Sequence, residues 1–324
     1  MRRITYVLVI SMMCLGLGIL IGLIYGPASL TIGQLWEALM HSGEKSPEII
    51  VWQLRMPRVA KALVVGASLA TAGALLQISA RNPLGDPQIF GVGGGATIAQ
   101  AMALAGWITS ETWSLTSISV VFSVIGVSII TYFSARRDIT SARLALIGVS
   151  VAALSLAIAT GIMASARIFT QQSLTFIGGS FTNRGWDELV SAIPFVLLGL
   201  GLTALIAGRL NLLSLGDEIA HNLGANPSKT RLLAMIAASI LGGIAVSLSG
   251  LVGCVGLLVP HIARIAVGHD ARSIILVSIP LGATLTLYAD QVARLTFMPA
   301  EVPVGMVTTA LGAPLMIYIA RRVT

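Results

Sequence analysis

Residues Leu232–Ser249 read LLAMIAASILGGIAVSLS, a run without one ionisable side chain. A helix of that length rises about 27 Å, close to the hydrocarbon thickness of a bilayer. Runs of the same kind recur near 4–24, 60–79, 91–109, 115–134, 144–166, 190–207, 251–268, 273–293 and 303–320. That makes about ten candidate spans. The run 251–268 is the weakest, because Pro260, His261 and Arg264 interrupt it. Strands of alternating apolar and polar residues are missing, which argues against a β-barrel. The sequence therefore predicts an all-α polytopic membrane protein, with 1–324 forming one transmembrane domain.

Composition agrees. The 324 residues are 56% hydrophobic and 10% charged, with mean hydropathy +0.91. A soluble domain carries about 25% charged residues, enough polar surface to cover itself in water. The net charge of +7 does not point to nucleic acid, since the basic residues sit singly or in pairs between apolar runs. Cys14 and Cys254 lie far apart inside apolar runs and read as small buried hydrophobes. Met1-Arg2-Arg3 and the run to Ile24 resemble a signal peptide, but the run is long enough to span. It reads as the first transmembrane helix.

An even number of spans puts both termini on one side. Arg2, Arg3, Arg321 and Arg322 flank the ends, and the loops of that side carry Arg81, Arg136, Arg137, Arg143, Arg209, Lys229, Arg231 and Arg272. The opposite loops carry Lys45, Arg55, Arg58, Lys61, Arg167, Arg184 and Arg294. The bias predicts cytoplasmic termini and leaves the opposite arginines to be explained.

In the second span Gly66, Ala70, Gly73, Ala74 and Gln77 share a helical face. Small residues at that spacing let helix backbones approach closely in lipid. Gln77 needs a polar partner, so it faces protein or a pathway. The span centres hold almost no Asp, Glu or His, unlike proton-coupled transporters. Asp290 and Arg294, four apart near a helix end, are expected to pair locally. The energy for any transport is then expected to come from a partner.

Two motifs mislead. Gly224-Ala-Asn-Pro-Ser-Lys229-Thr230 lacks the glycine before lysine that a phosphate loop requires, and Pro227 removes a donor. Gly91-Val-Gly93-Gly-Gly-Ala96 has no preceding strand, so close packing explains it better than a dinucleotide. ATP hydrolysis is not expected in this chain. His261 has no second ligand at helical spacing and reads as a capping or hydrogen-bonding histidine; no metal site or cofactor is expected. The loop 209–231 is the longest of its side. Gly216 and Gly224 bracket a short helical stretch with Asp217 and Glu218 at its start. Leu213, Leu215, Ala220 and Leu223 supply anchors for docking into a partner's groove.

These residues carry a resemblance. Arg55-Met-Pro57-Arg58, Gly66-Ala67 to Gln77, Asn82-Pro83-Leu84, Gly179-Ser180, Leu215-Gly216-Asp217 to Gly224, Pro260-His261, Ala289-Asp290 to Arg294, Glu301-Val-Pro303-Val-Gly305 and Gly312-Ala-Pro314 stand in order almost end to end. In that pattern the chain resembles the FecCD permeases of type II ABC importers, which take up ferric siderophores, haem or vitamin B12. Phe176 departs from the tryptophan frequent in the family.

The resemblance implies a second permease subunit, identical or a sister chain, enclosing a central pathway in the bacterial cytoplasmic membrane. Two cytoplasmic ATP-binding subunits would dock on Leu215, Gly216, Asp217, Glu218, Ala220, Leu223 and Gly224. An extracytoplasmic substrate-binding protein would dock on Arg55, Arg58 and Arg294, as glutamate partners would require. The pathway would involve the third, fifth and eighth spans, with Gly66, Gly73, Gln77, Asn82, Pro83, Pro260 and His261 as structural or pathway residues. An iron(III) chelate is the leading cargo. An ion-coupled secondary transporter and a membrane-embedded enzyme are the competing classes.

Overall fold

The computed structural model describes every residue except 1, 29, 89, 135–140, 168–174, 183–184, 297, 299 and 321–324. Arg136, Arg137, Arg184, Arg321 and Arg322 of the charge-bias reading lie outside the described residues. The described residues form α1 (Arg2–Ile24), α2 (Ile32–Leu39), α3 (Lys45–Ile49), a π-helical segment (Ile50–Arg55), α4 (Met56–Ser79), α5 (Gly94–Leu104), α6 (Thr112–Ser134) and α7 (Ser141–Ser165). They continue with α8 (Trp186–Ser214), α9 (Asp217–Asn222), α10 (Pro227–Ser249), α11 (Val255–Val267), α12 (Ala271–Leu295) and α13 (Val304–Ala320). No strand occurs among them.

Each of the runs read as spans contains a helix, though 91–109 and 251–268 are helical only over Gly94–Leu104 and Val255–Val267. Among the described residues, seven helices are long and apolar enough to cross a membrane. α5, α11 and α13 are shorter, at 11, 13 and 17 residues. Backbone irregularity shortens them: Gly91 takes φ +67° before α5, and Cys254 takes φ +65° at the start of α11. In the hydrocarbon region such segments stand only where protein or a cavity surrounds them.

α4 and α10 form the centre; 83% of the α10 span is buried against 22% of α1. α1 turns Met13, Leu17 and Leu20 outward, a surface suited to lipid. α4 meets its neighbours through glycine. A Cβ on Gly66 would lie 2.2 Å from the Gly282 carbonyl oxygen of α12, and one on Gly73 1.9 Å from that of Gly256 in α11. The face read from small-residue spacing is therefore the central packing face.

Hydrogen bonds fix the directions. Thr284, Tyr288, Gln291 and Arg294 meet the carbonyls of Ser11, Cys14, Gly18 and Gly22 in that order, so α12 runs parallel to α1. Arg58 meets Asp290 while Gly66 meets Gly282, so α4 runs antiparallel to both. α4 thus leads from an end marked by arginines to an end marked by α9.

The structure corrects several boundaries. The loop 209–231 contracts to 215–226, because α8 continues to Ser214 and α10 begins at Pro227, capped by the Asn226 side chain on Lys229 N–H. Lys61 is no loop residue. It is fully buried in α4, its Nζ 3.2 Å from Glu188 of α8.

Candidate functional site

At the arginine end, the π-helical segment carries Arg55 as its last residue, and Arg58 follows in the first turn of α4. π-helical turns often accompany functional positions, since the extra residue per turn re-aims side chains. Arg58 is the hub. Its Nε donates to both oxygens of Asp290 (3.2 and 2.9 Å), and its NH2 to Asp290 Oδ1 (2.9 Å) and Glu301 Oε2 (3.0 Å). Its NH1 donates to Glu301 Oε1 (3.0 Å). Such forked charge-assisted bonds fix geometry as well as contributing energy.

Arg55 and Arg294 serve the end of α1. Arg55 donates to the carbonyls of Leu23, Ile24 and Ala28, and Arg294 to those of Gly22 (3.2 Å) and Tyr25 (2.6 Å). A helix C-terminus leaves carbonyls without intrahelical partners and carries partial negative charge, which two guanidinium groups satisfy. Both residues are about 95% buried. The local Asp290–Arg294 pair expected from the spacing does not form. Asp290 receives the fork of Arg58 instead, and Arg294 turns to α1.

Arg55, Arg58, Arg294, Thr182 and Glu301 line one open cavity of about 430 Å³. Glu301 also accepts from the Thr182 hydroxyl (2.8 Å). Burial pushes its carboxyl upward, but the hydrogen bonds and charge of Arg58 outweigh this and hold it below the usual carboxylate range. A second cavity, of about 710 Å³, is lined by Ile177, Gly178, Leu251, Gly253, Gly305 and Met306 among others.

In the bundle interior, Gln77 Nε2 donates to the carbonyls of Gly256 and Leu257 (3.1 Å each). Pro260 has no N–H, so the Gly256 carbonyl lacks its helical partner four residues on. Gln77 supplies the missing donor, and its own oxygen accepts from Arg264 (3.4 Å). His261 does not cap: its Nδ1 is buried without a partner. The described residues contain no group of metal-ligating side chains. Asn82 and Pro83 build the turn after α4, where Asn82 Oδ1 accepts from Leu84 N–H (2.9 Å).

At the opposite end, Gly216 and Gly224 take φ +113° and +83°, bracketing α9. Asp217 pairs with Arg81 and with Arg231 (3.2 Å). Arg81 also reaches the Leu213 carbonyl (2.6 Å) and Arg231 that of Ser79 (3.0 Å). α9 is thereby fastened to the end of α4 and the start of α10. Of the expected anchors, Leu215 and Leu223 are exposed, while Leu213 and Ala220 are buried within the chain. Ile219, 51% exposed, completes a Leu215–Ile219–Leu223 stripe, with Glu218 exposed beside it.

A model of the FecCD transport family matches residues 14–322. The chain belongs to that family. Among its relatives, the iron(3+)-hydroxamate import permease FhuB of Bacillus subtilis is 36% identical over 98% of this chain and 83% of its own length. The Fe(3+)-citrate import permease YfmD of the same organism is 33% identical over 99% and 95%. The vitamin B12 import permease BtuC of Yersinia enterocolitica is 35% identical over 91% and 88%. A solved chain described as an inward-facing metal-chelate type ABC transporter superposes with TM-score 0.86 at 28% identity, covering 98% of this chain and 99% of its own.

Within this FecCD chain the sequence missed three participants. Glu301 was legible only as part of a motif, since its partner Arg58 lies 243 positions away. The Lys61–Glu188 pair joins helices whose neighbourhood no spacing reveals. Ile219 lies next to buried Ala220 in α9; its spacing of four from Leu223 was the available signal.

Proposed function

We propose that this FecCD chain is the membrane-spanning subunit of an ATP-driven importer that takes up an iron(III) chelate delivered by an extracytoplasmic binding protein. The observation that carries the reading is the pairing of two ends on one helix. The arginine-lined cavity opens at the start of α4, and the exposed α9 stripe is tied to its far end. Binding-protein docking centres on Arg58, which lines the cavity with its side chain 13% exposed, with Arg55 and Arg294 lining it too. The ATP-binding subunits take the Leu215–Ile219–Leu223 stripe on the cytoplasmic side, where both termini lie.

Two permease chains, identical or sister, enclose the pathway. This chain hydrolyses nothing. Iron is the first reading because FhuB and YfmD are named as iron(3+)-hydroxamate and Fe(3+)-citrate import permeases; vitamin B12 is the second, supported by BtuC. The test is uptake by a strain lacking this gene, offered labelled ferric hydroxamate, ferric citrate, haem and cobalamin in parallel. Loss of a ferric chelate alone, restored by the wild-type gene, supports the reading. Loss of cobalamin alone moves the chain to the second, and loss of none overturns both.

A further inference from the structure

The guanidinium of Arg58 has five N–H groups in a rigid fork. Asp290 takes the Nε–NH2 edge from within, its side chain 5% exposed. Glu301 takes the NH1–NH2 edge with both oxygens, and its side chain is 29% exposed. The outward edge, the one a partner's carboxylate needs for a two-bond contact, is therefore already filled. An arriving glutamate cannot take it without moving Glu301.

Glu301 is also tied to the segments that line the larger cavity. It accepts from Thr182 Oγ1, which accepts from Ser180 Oγ (2.9 Å), and Ser180 N–H donates to the Ser249 carbonyl (2.7 Å). Two residues beyond Val302, Val304 N–H donates to the Gly179 carbonyl (2.9 Å). The segments around 178 and 303 touch without room for a side chain: a Cβ on Gly178 would lie 2.4 Å from Pro303 Cβ, and one on Gly305 2.5 Å from the Gly178 carbonyl. Gly178, Gly305 and Leu251 line the larger cavity.

We propose that Glu301 is a resident stand-in for the docking carboxylate. It holds Arg58 while the partner is absent and yields it on docking, and its release loosens the clasp between the 178–182 and 301–305 segments, which line the larger cavity through Gly178 and Gly305. This rests on the docking role proposed for Arg58. Docking is thereby converted into a local opening by exchange of one carboxylate for another, with no net change in the charge facing Arg58.

The full-length chain in lipid nanodiscs tests this in two arms. In the first, without any partner, Val252→Cys reports on the clasp, since Val252 is 1% exposed against Gly179. Maleimide labelling is read at that position by peptide mass spectrometry, so Cys14 and Cys254 do not contribute. The expected rates rise from Glu301 through Glu301→Gln to Glu301→Ala, by about fivefold or more overall, as for a local opening freed of one charge-assisted contact. In the second arm, the binding protein that supports uptake is titrated onto the nanodiscs. Glu301→Gln is expected to tighten docking about tenfold, because no carboxylate competes for the fork.

Equal labelling in all three backgrounds overturns the clasp, and unchanged or weaker docking by Glu301→Gln overturns the exchange. Arg58→Glu separates the two layers: if that variant, with native thermal unfolding, still docks as wild type, the docking role itself falls. If it loses docking while Glu301→Gln does not gain it, only the exchange falls.

Discussion

Arg58 and Gln77 show how one side chain settles a structure that sequence spacing leaves open. Gln77 was expected to need a polar partner, and Pro260 to disturb its helix; the structure joins the two facts in one hydrogen bond. Gln77→Leu removes the donor that replaces the missing N–H of Pro260, and is expected to destabilise the detergent-solubilised chain by about 1 kcal/mol, measured as a lowered unfolding midpoint. Arg58 gives a pH-dependent prediction through Glu301. The folded Glu301 carboxyl sits below its ordinary range, so its contribution is present above that range and lost as pH falls through the folded value. At about pH 7, Glu301→Gln should cost roughly 0.5–1 kcal/mol, and the difference from wild type should shrink as pH falls through the depressed folded value of the carboxyl. A difference that grows on acidification would contradict the ion pair. Individual partners such as Asp290 for Arg58 were not legible, because an i,i+4 spacing competes with contacts more than 200 positions away that only the fold creates.

Among elements, α4 carries the central packing and α9 the exposed apolar residues of the opposite end. The glycine face of α4 was legible because close helix approach in lipid demands small residues at fixed spacing, and Gly66 and Gly73 obey it. Gly73→Val cannot be accommodated 1.9 Å from the Gly256 carbonyl without separating α4 from α11. Expression of folded, monodisperse protein should fall sharply, with a destabilisation of about 3 kcal/mol in whatever remains. Gly201→Ala on α8, where a Cβ meets nothing within 4 Å, should be neutral. In α9 the sequence located the helix and its glycine brackets but not which apolar residues face outward, since six residues are too few for periodicity to sort two faces. Ile219→Asp should abolish assembly with the ATP-binding subunits in a pull-down while leaving thermal unfolding unchanged. Retained assembly would remove the stripe from the interface.

The whole molecule was legible in outline because a bilayer leaves few solutions: runs as long and apolar as 232–249 must be helices, and each predicted run contains one. Helices shorter than a full span, such as α5 and α11, were not distinguishable from spanning ones, because glycine and proline end a helix without making the run less apolar. The two ends proposed to dock partners lie at the start of α4 and, through Arg81 and Arg231, beside its far end, so a change at Arg58 and one at α9 act on the same helix. The central claim, an importer driven by ATP hydrolysis on the α9 side, is tested most directly by reconstituting the permease with its ATP-binding subunits in proteoliposomes. The measurement is accumulation of labelled ferric chelate supplied with the binding protein. ATP hydrolysis on the α9 face alone should drive accumulation, and Arg58→Glu should abolish it. Accumulation driven by a proton or sodium gradient without ATP would contradict the claim and return the chain to the secondary transporters.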